Sequence, residues 1–210
     1  MHCSNKIRDM EEKKSAPIYR QYWLWVTRPD YYLDEDGNER EDLDPDCGVD
    51  SDGWWTCHKD TKKGDLILLW RTSPKKDIGY LIQAESDAYS IADDNEHGWE
   101  YGCDHQMLYK FYNPIKIKDL RTDPYFDEWG PLRCSFQRSF FEISKNDWEK
   151  LNQMSIAKNP EYRDIIEEIQ KEPISKHQIA EEQLEEMLLS NLKILKKFGH
   201  DLELYFNPAS

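Results

Sequence analysis

The sequence has no long apolar run, few cysteines and no excess of basic residues. No segment approaches the roughly 18 apolar residues that a membrane-spanning helix needs, and the opening MHCSNKIRDMEEKK lacks the apolar centre of a signal peptide. The five cysteines form no CxxC pair, which argues against a disulfide scaffold and for a reducing compartment. We therefore expect a cytoplasmic protein with no membrane partner.

The charge is acidic but unevenly distributed. The formal net charge is −14, which is unusual for a nucleic-acid-binding protein because phosphate attraction supplies much of the affinity. Residues 30–52 hold eleven carboxylates and one arginine, whereas residues 59–76 hold six basic and two acidic side chains. Charge therefore neither predicts nor excludes nucleic acid. One hypothesis is that the acidic segment blocks unspecific contact with phosphates.

Aromatic residues are plentiful, with 8 Trp, 12 Tyr and 7 Phe. They bury large areas per residue, so they can supply a core in a polar chain. Short apolar and aromatic runs bounded by turn residues indicate strands, and these runs are 19–27, 64–72, 78–86, 99–115 and 134–144. Such spacing predicts an α+β fold with a small closed barrel over 19–155, preceded by a disordered tail at 1–18.

The character of the chain changes after residue 155. Ser144, with Asp147 three residues later, predicts the start of a helix. Apolar residues at 184, 187, 188, 192 and 195 have helical spacing, and Gly199 is a stop signal. We expect a helical appendage over 156–210, in which the 177–198 helix packs on the barrel or forms a homodimer.

Several sequence pieces occur in an order that resembles a known family. They are YWLWVTRPD (22–30), GWWTC (53–57) with KKGDLILLWRTS (62–73), NPIKIKDLR (113–121), and WG (129–130) before CSFQRSFFEIS (134–144). Together they resemble the EVE domain of the PUA-like superfamily, which is similar in fold to YTH and ASCH domains. The resemblance implies a PUA-like small mixed β-barrel with short flanking helices and a pocket that receives a base, often a modified one.

The resemblance implies a reader of modified DNA, with 5-methyl- or 5-hydroxymethylcytosine as the expected target. A base cannot be inspected inside a duplex and has to be extruded; it then needs flat walls for stacking and polar groups for its pairing edge. The chain departs from the family at WWTCHKDT (54–61), where many relatives have an Asn-containing helix, and at FQRSF (136–140), where relatives often have FQGSF. The modification is therefore not specified.

The candidate residues fall into two groups. The candidate pocket residues are Trp25, Thr27, Trp54, Trp55, Thr56, Trp70, Thr72 and Ser139. The candidate contacts to the nucleic-acid backbone are Lys59, Lys62, Lys63, Arg71, Lys75, Lys76, Gln137 and Arg138. Adjacent tryptophans cannot both point into one core if the segment is extended, so either Trp54 or Trp55 is expected to face a cleft. Trp99 fits either the pocket or the core.

Three other functions are open: a reader of modified RNA, a small hydrolase, and a protein-interaction scaffold that acts through the 177–198 helix. A reader of modified RNA would use the 2′-hydroxyl. A small hydrolase of modified cytidine, like some ASCH relatives, would act through Lys, Thr and Glu, but no Glu can be matched. Zinc is not expected, because CH at Cys57–His58 and CxH at Cys103–His105 are not zinc-finger spacings. We predict no metal and no cofactor.

The C-terminal segment suggests a possible context for the chain. Residues 180–205 resemble the opening helix and first strand of a restriction-endonuclease-like nuclease domain. The chain would then be the specificity module of a modification-dependent restriction system, with a nuclease partner. The E-x-K matches, at Glu11–Lys13 and Glu12–Lys14, lie in the N-terminal tail and not on a strand. The chain by itself is therefore not expected to be an enzyme.

Overall fold

The computed structural model describes residues 20–47, 53–92 and 98–171. Three predictions fall outside these residues: the disordered tail at 1–18 with its E-x-K matches, the 177–198 helix, and the nuclease-like segment at 180–205. The described residues divide between two compact units, 1–160 and 161–210. The first unit contains the features on which the predicted function depends.

Within the described residues, seven strands form one curled mixed sheet. They are β1 (Tyr22–Thr27), β2 (Gly53–Thr56), β3 (Leu66–Arg71), β4 (Asp77–Ala84), β5 (Tyr89–Ser90), β6 (Tyr101–Lys116) and β7 (Phe140–Glu142). The strand order is β2-β6-β4-β3-β1-β7, with β5 also paired to β6. β1 and β3 are parallel and the other pairs are antiparallel. The predicted PUA-like α+β class is confirmed, but the sheet forms a half-barrel and not the closed barrel that the strand spacing predicts.

Short helices connect and flank the strands. They are α1 (Pro29–Tyr32), α2 (Ile117–Thr122), α3 (Gly130–Arg133) and α4 (Lys145–Lys158), with 3₁₀ turns at Glu41–Leu43 and Pro124–Phe126; α5 (Tyr162–Lys171) belongs to the second unit. Ser144 Oγ accepts a hydrogen bond from the Asp147 amide at 3.1 Å, so the predicted cap of α4 is confirmed. No helix in the described part of the chain is long and apolar enough to cross a membrane.

Strand β3 is buried along its whole length because both faces of the sheet are covered. Residues in a strand alternate between faces. On the concave side, Ile67 and Leu69 join a core cluster that includes Trp23, Trp25, Tyr32, Leu43 and Tyr80. On the other side, Trp148 of α4 stacks on Tyr22 with ring centroids 4.5 Å apart. This double cover explains why the sequence of β3 is nearly continuously apolar.

The predicted strands are present, with two differences. The segment 134–144 forms a strand only over Phe140–Glu142, because Ser135 and Phe136 adopt positive φ angles of 54° and 56° in a turn after α3. The tryptophan pair at 54–55, which was not predicted as a strand, lies in β2 and pairs with β6.

The domain boundary predicted at residue 155 falls inside α4, and the first compact unit continues to Pro160.

Candidate functional site

A cavity of about 710 Å³ opens on the concave side of the sheet. Its walls are the end of β1, strand β2, the segment 136–139 before β7, and the loop that follows α1. The lining residues are Val26, Thr27, Arg28, Tyr31, Arg40, Asp42, Leu43, Gly53, Trp54, Trp55, Thr56, Thr72, Trp99, His105, Phe136, Gln137, Arg138 and Ser139. Ligand sites typically measure roughly 300–1,000 Å³, so the cavity has the size of a small-molecule site.

Aromatic rings form one wall of the cavity. Trp55 is half-buried and packs against the concave core. Its ring meets His105 edge-to-face at 5.8 Å and 88°, and meets Tyr31 at 6.2 Å. Tyr31 also contacts Trp99 edge-on at 6.2 Å. Edge-to-face contacts are a favoured arrangement of aromatic pairs. They hold these rings in defined orientations and produce a continuous aromatic surface.

Trp54 extends this surface to the mouth of the cavity. Half of its area is exposed, and its ring meets Trp99 at 6.0 Å. Gly102 on β6 allows the Trp54 ring to lie close to that strand, since a Cβ at residue 102 would lie 3.3 Å from the ring. An exposed tryptophan held by a second aromatic ring is a suitable surface for stacking. Trp54 and Trp55 both line the cavity, one at its mouth and one inside.

Hydroxyl groups lie on the wall formed by the ends of β1 and β3. Thr72 Oγ1 donates to the Thr27 carbonyl at 2.8 Å, and Thr27 Oγ1 donates to the Arg28 carbonyl at 3.3 Å. Each hydroxyl proton is thereby used, and the oxygens keep acceptor capacity. The Ser139 carbonyl accepts from the Val26 amide at 2.8 Å, which holds the 136–139 segment beside β1. The wall therefore offers hydrogen-bond acceptors next to aromatic rings.

A charged pair from the acidic loop forms part of the opposite wall. Arg40 Nε donates to Asp42 Oδ1 at 2.9 Å, and a second short bond joins Arg40 Nη2 to Asp42 Oδ2. The hydrogen bonds from Arg40 lower the pKa of Asp42. The pair thus stays ionised at neutral pH, and it presents both a donor and an acceptor to the cavity.

Glu39 anchors the loop that carries this pair. Its carboxylate lies 3.0 Å from Arg71 Nη1, 2.6 Å from Lys75 Nζ and 3.5 Å from Lys110 Nζ. Burial by itself would raise the pKa of Glu39, but the hydrogen bond from Lys75 and the charges of Arg71, Lys75 and Lys110 lower it to about 2. Asp44 adds a second link, 2.9 Å from Lys110. Part of the acidic segment is therefore an ordered wall of the cavity.

Two arginines stand at the mouth without an ion pair among the described residues. Arg28 is exposed, and its guanidinium lies 5.5 Å from the centre of the Tyr31 ring in a cation–π contact. Arg138 is also exposed. Arginine in such a position can bind phosphate or carbonyl oxygens with two parallel hydrogen bonds. The mouth is thus locally basic in an acidic protein.

Two of the candidate pocket tryptophans do not line the cavity. Trp25 is fully buried in the concave core, and Trp70 is 2% exposed on the other side of the sheet. The Trp70 ring stacks on Phe136 with centroids 3.7 Å apart and planes 7° apart. Since Phe136 lines the cavity, Trp70 supports the wall from behind. The structure brings the remaining candidates together at the cavity: Thr27, Trp54, Trp55, Thr56, Thr72, Gln137, Arg138 and Ser139.

The candidate backbone contacts from 59–76 do not form one strip. Lys59, Lys62 and Lys63 precede β3, whereas Lys75 and Lys76 follow it, so the two groups lie at opposite ends of a strand about 20 Å long. Several of these charges are also neutralised. Arg71 is buried and pairs with Asp77 at 2.7 Å, Lys75 pairs with Glu39, and Lys62 pairs with Asp87 at 2.7 Å.

Cys57, His58, Cys103 and His105 do not form one metal site in the described part of the chain. Cys57 and Cys103 are buried in the concave core. The His58 ring packs on Trp23 and Phe140, and His105 lines the cavity. Within the part of the chain that the structure describes, no three His, Cys, Asp or Glu residues are grouped as a metal site.

Sequence reasoning missed several residues that line the cavity. The sequence does not decide between pocket and core for Trp99, and it gives no indication that Tyr31, His105, Phe136 or the Arg40–Asp42 pair line the pocket. Arg28 lies within the YWLWVTRPD piece and Tyr31 follows it directly, and that position is the available signal for them. Arg40 and Asp42 carry no local signal, because long-range contacts of Glu39 and Asp44 bring their loop to the sheet.

Comparisons with known proteins agree with this fold. The profile of the EVE domain matches residues 21–154. A solved Pseudomonas putida protein is 14% identical with a TM-score of 0.51, over 64% of this chain and 99% of its own. A Leishmania major protein is 13% identical with a TM-score of 0.50, over 67% and 97%.

Human THYN1, solved in complex with 5-methylcytosine containing DNA, is 15% identical with a TM-score of 0.48, over 64% of this chain and 97% of its own. No curated protein sequence matched the chain. The two structures with higher scores support the fold, and the profile match spans well over half of the 210 residues. The chain therefore belongs to the EVE domain family.

Proposed function

We propose that this protein is a reader of modified nucleic acid that holds one extruded base in the cavity. The observation that carries the proposal is the combination of an aromatic wall, acceptor groups and two exposed arginines around one cavity of about 710 Å³. A base flipped from a duplex needs flat surfaces to replace lost stacking, and base–aromatic stacking contributes roughly 1–3 kcal/mol. Trp54, Trp55 and Trp99 would supply these surfaces.

The polar groups of the cavity suit the edge of a base. A carboxylate accepts from an exocyclic amino group such as N4 of cytosine, and Asp42 is the carboxylate in the cavity wall. Arg40 and the hydroxyls of Thr27 and Thr72 are partners for the remaining ring positions. The proposed target is a 5-substituted cytosine in DNA, with 5-methylcytosine and 5-hydroxymethylcytosine as the first two to test.

The arginines at the mouth explain how an acidic protein would bind DNA. The phosphates that flank an extruded base lie outside the cavity, where Arg28 and Arg138 are exposed. Phosphate contacts position the strand and base contacts give selectivity. Local positive charge at the mouth therefore matters more than the net charge of −14.

A reader of modified RNA is the alternative within the same class. It would use the same cavity and would additionally contact the 2′-hydroxyl. Paired DNA and RNA oligonucleotides with the same modified base distinguish the two readings. A ligand that loses affinity when the 2′-hydroxyl is removed would assign the site to RNA.

Hydrolysis of a modified cytidine is less well supported than binding. The ASCH-like reading requires Lys, Thr and Glu together. The described residues that line the cavity include three threonines but neither lysine nor glutamate. We therefore propose a binding protein and not an enzyme. Incubation with modified nucleosides, followed by analysis for a deaminated or cleaved product, tests this directly.

The role in a restriction system is the broadest part of the proposal. It would make this chain the specificity module and a nuclease its partner, in the cytoplasm. Its support is the resemblance of residues 180–205 to the start of a nuclease domain, and these residues lie outside the described structure. Cleavage of modified plasmid DNA by the protein together with its neighbouring gene products would test this role.

The decisive experiment measures binding to matched duplexes at one salt concentration. The duplexes carry cytosine, 5-methylcytosine, 5-hydroxymethylcytosine or N6-methyladenine at one central position. We expect preferential binding to one modified cytosine, and we expect Trp55→Ala to abolish the preference. Tyr112→Ala is the matched control, because Tyr112 is 59% exposed and does not line the cavity. Equal affinity for all four duplexes in the wild type would contradict the proposal.

A further inference from the structure

One edge of the sheet carries a row of basic side chains. We define the rim as the edge where β1, β3 and β6 end and where β4 and β7 begin. The pairings Thr27↔Arg71, Arg71↔Asp77 and Asp77↔Lys116 bring these strand ends together. The Val26–Ser139 hydrogen bond adds the residues before β7. The basic residues of the rim that are exposed are Arg138, Arg28, Lys76, Lys116, Lys118 and Arg121.

The row is continuous with the cavity through backbone hydrogen bonds. Thr72 lines the cavity, and its carbonyl accepts from the amides of Lys75 and Lys76 at 3.1 and 3.2 Å. The Lys76 carbonyl in turn accepts from the amide of Ile117, the first residue of α2, at 2.9 Å. The basic residues of α2 are thereby placed beside the turn that begins at the cavity wall.

The positive charge of this row is not cancelled by the carboxylates that face it. None of the six rim side chains forms an ion pair with another described residue. Asp77 is buried against Arg71, and Asp119 is paired with Lys158 at 3.0 Å. Glu39 pairs with Lys75, while Asp30 is exposed on α1 beside Arg28. The net excess at the rim is therefore positive in a chain of net charge −14.

The opposite edge of the sheet has a different charge. Lys59, Lys62 and Lys63 lie there, and Lys62 is paired with Asp87. Glu85 and Glu142, at the ends of β4 and β7, are exposed at the same edge. A strand with negative phosphates is attracted to the rim and not to this edge. This difference in charge indicates that the lysines after β3, at the rim, are placed to contact phosphates. Lys59, Lys62 and Lys63, before β3, are not.

We propose that the rim is a track for the phosphate backbone on one side of the extruded base. The inference rests on the proposed function, and it adds α2 as a nucleic-acid-binding element. From β1 to β6 the rim crosses three strand spacings of about 4.8 Å, or about 14 Å. One strand of B-DNA has a phosphate every 3.4 Å along the axis, so this distance corresponds to about four nucleotides. The cavity lies at the Arg28 end, so the contacts extend to one side only.

The first test measures the salt dependence of binding by the full 210-residue chain. The probes are a duplex with one central 5-methylcytosine and the same duplex unmodified. Each phosphate contact contributes about 0.9 to the slope of log affinity against log salt. The double variant Lys118→Gln/Arg121→Gln should lower this slope by about 1.8 for both duplexes. The control double Lys59→Gln/Lys63→Gln removes two exposed charges at the opposite edge and should leave the slope unchanged.

The outcomes separate the rim from the cavity. The rim inference is wrong if the rim variant has an unchanged slope, or if the slope of the control falls equally. In that case the proposed function still stands, provided that the wild type prefers 5-methylcytosine. If the wild type shows no preference for 5-methylcytosine, the proposed function is contradicted. The salt slope still tests the rim inference. Unchanged thermal melts of both doubles would show that these exposed substitutions leave the fold intact.

The second test measures the one-sidedness of the track. Short oligonucleotides carry the modified base at the 5′ end, at the centre or at the 3′ end. We expect one end-modified strand to bind as well as the central one, and the other to bind about tenfold more weakly because it leaves the rim empty. The rim double variant should remove this difference. Equal binding of both end-modified strands by the wild type would contradict a one-sided track.

Discussion

Glu39 Oε1 lies 3.0 Å from Arg71 Nη1, and this pair joins the acidic loop to the end of β3. Arg71 is 4% exposed in its side chain and also forms two bonds to Asp77, at 2.7 and 3.0 Å. The buried guanidinium is thus held by a carboxylate from the sheet and one from the loop. The loop also contributes Arg40, Asp42 and Leu43 to the cavity, so an ion pair in the sheet positions part of the cavity wall.

Replacement of Glu39 by glutamine should weaken both the fold and base binding. The variant leaves Arg71, Lys75 and Lys110 without this carboxylate, at a cost of roughly 1–2 kcal/mol for partly exposed pairs. The loop would be held less firmly, so affinity for the modified duplex should fall as well. Thermal melts and binding titrations measure the two effects. Glu35→Gln, an exposed loop position, is the control and should match the wild type.

The low pKa of Glu39 predicts an acid-dependent loss of stability. Its pKa is about 2 in the folded protein, compared with 4.5 ordinarily. Between these values the unfolded chain binds a proton that the folded chain does not, so the contribution of Glu39 is complete above pH 4.5 and is lost as the pH falls toward 2. Unfolding free energies measured from about pH 5 downward should fall less steeply for Glu39→Gln. Identical slopes would contradict this assignment.

Gly79 leaves the space that Arg71 occupies. A Cβ at residue 79 would lie 2.7 Å from Arg71 Cζ and would also overlap Nε. Gly79→Ala should therefore displace the guanidinium and break its bonds to Asp77, with a loss of roughly 3–5 kcal/mol because buried charges lose their partners. Chemical denaturation measures this loss. Gly37→Ala tests a loop glycine with open space but a positive φ of 83°, and it should cost less.

Trp54 should affect binding more than stability. Trp54 is half exposed, so Trp54→Ala should leave the melting temperature nearly unchanged. Loss of one stacking surface costs about 1–3 kcal/mol of binding, which is a five- to 150-fold rise in Kd for the modified duplex. Titration against modified and unmodified duplexes measures it. A Trp54→Ala variant that keeps full affinity and preference would remove Trp54 from the proposed site.

Trp70 should behave in the opposite way. It is buried and stacks on Phe136 behind the cavity wall, so Trp70→Ala should cost about 3–5 kcal/mol of folding free energy. Any loss of binding should then follow the fraction of unfolded protein. Titration at a temperature where the variant is still folded separates the two effects. Strong selective loss of base preference in folded Trp70→Ala protein would instead give Trp70 a direct role.

Local sequence was sufficient where burial and capping act over short distances. The apolar run of β3 predicted a strand because both faces of the sheet are covered, and Ser144 predicted the start of α4 because its side chain bonds an amide three residues away. The EVE pieces at 22–144 also predicted the family, which the profile match confirmed. Each of these signals is carried by neighbouring residues or by a motif in chain order.

Only the tertiary structure decided which of these residues surround the cavity. Trp25 and Trp55 are both aromatic residues on strands, yet one lies in the core and the other lines the cavity, because the outcome depends on which strand lies across from each. Lys63 and Lys75 are close in sequence, but β3 separates them by its full length. Glu39 meets Arg71 across 32 residues. Composition and periodicity do not encode such long-range pairings, which depend on how the sheet curls and which charges its ends bring together.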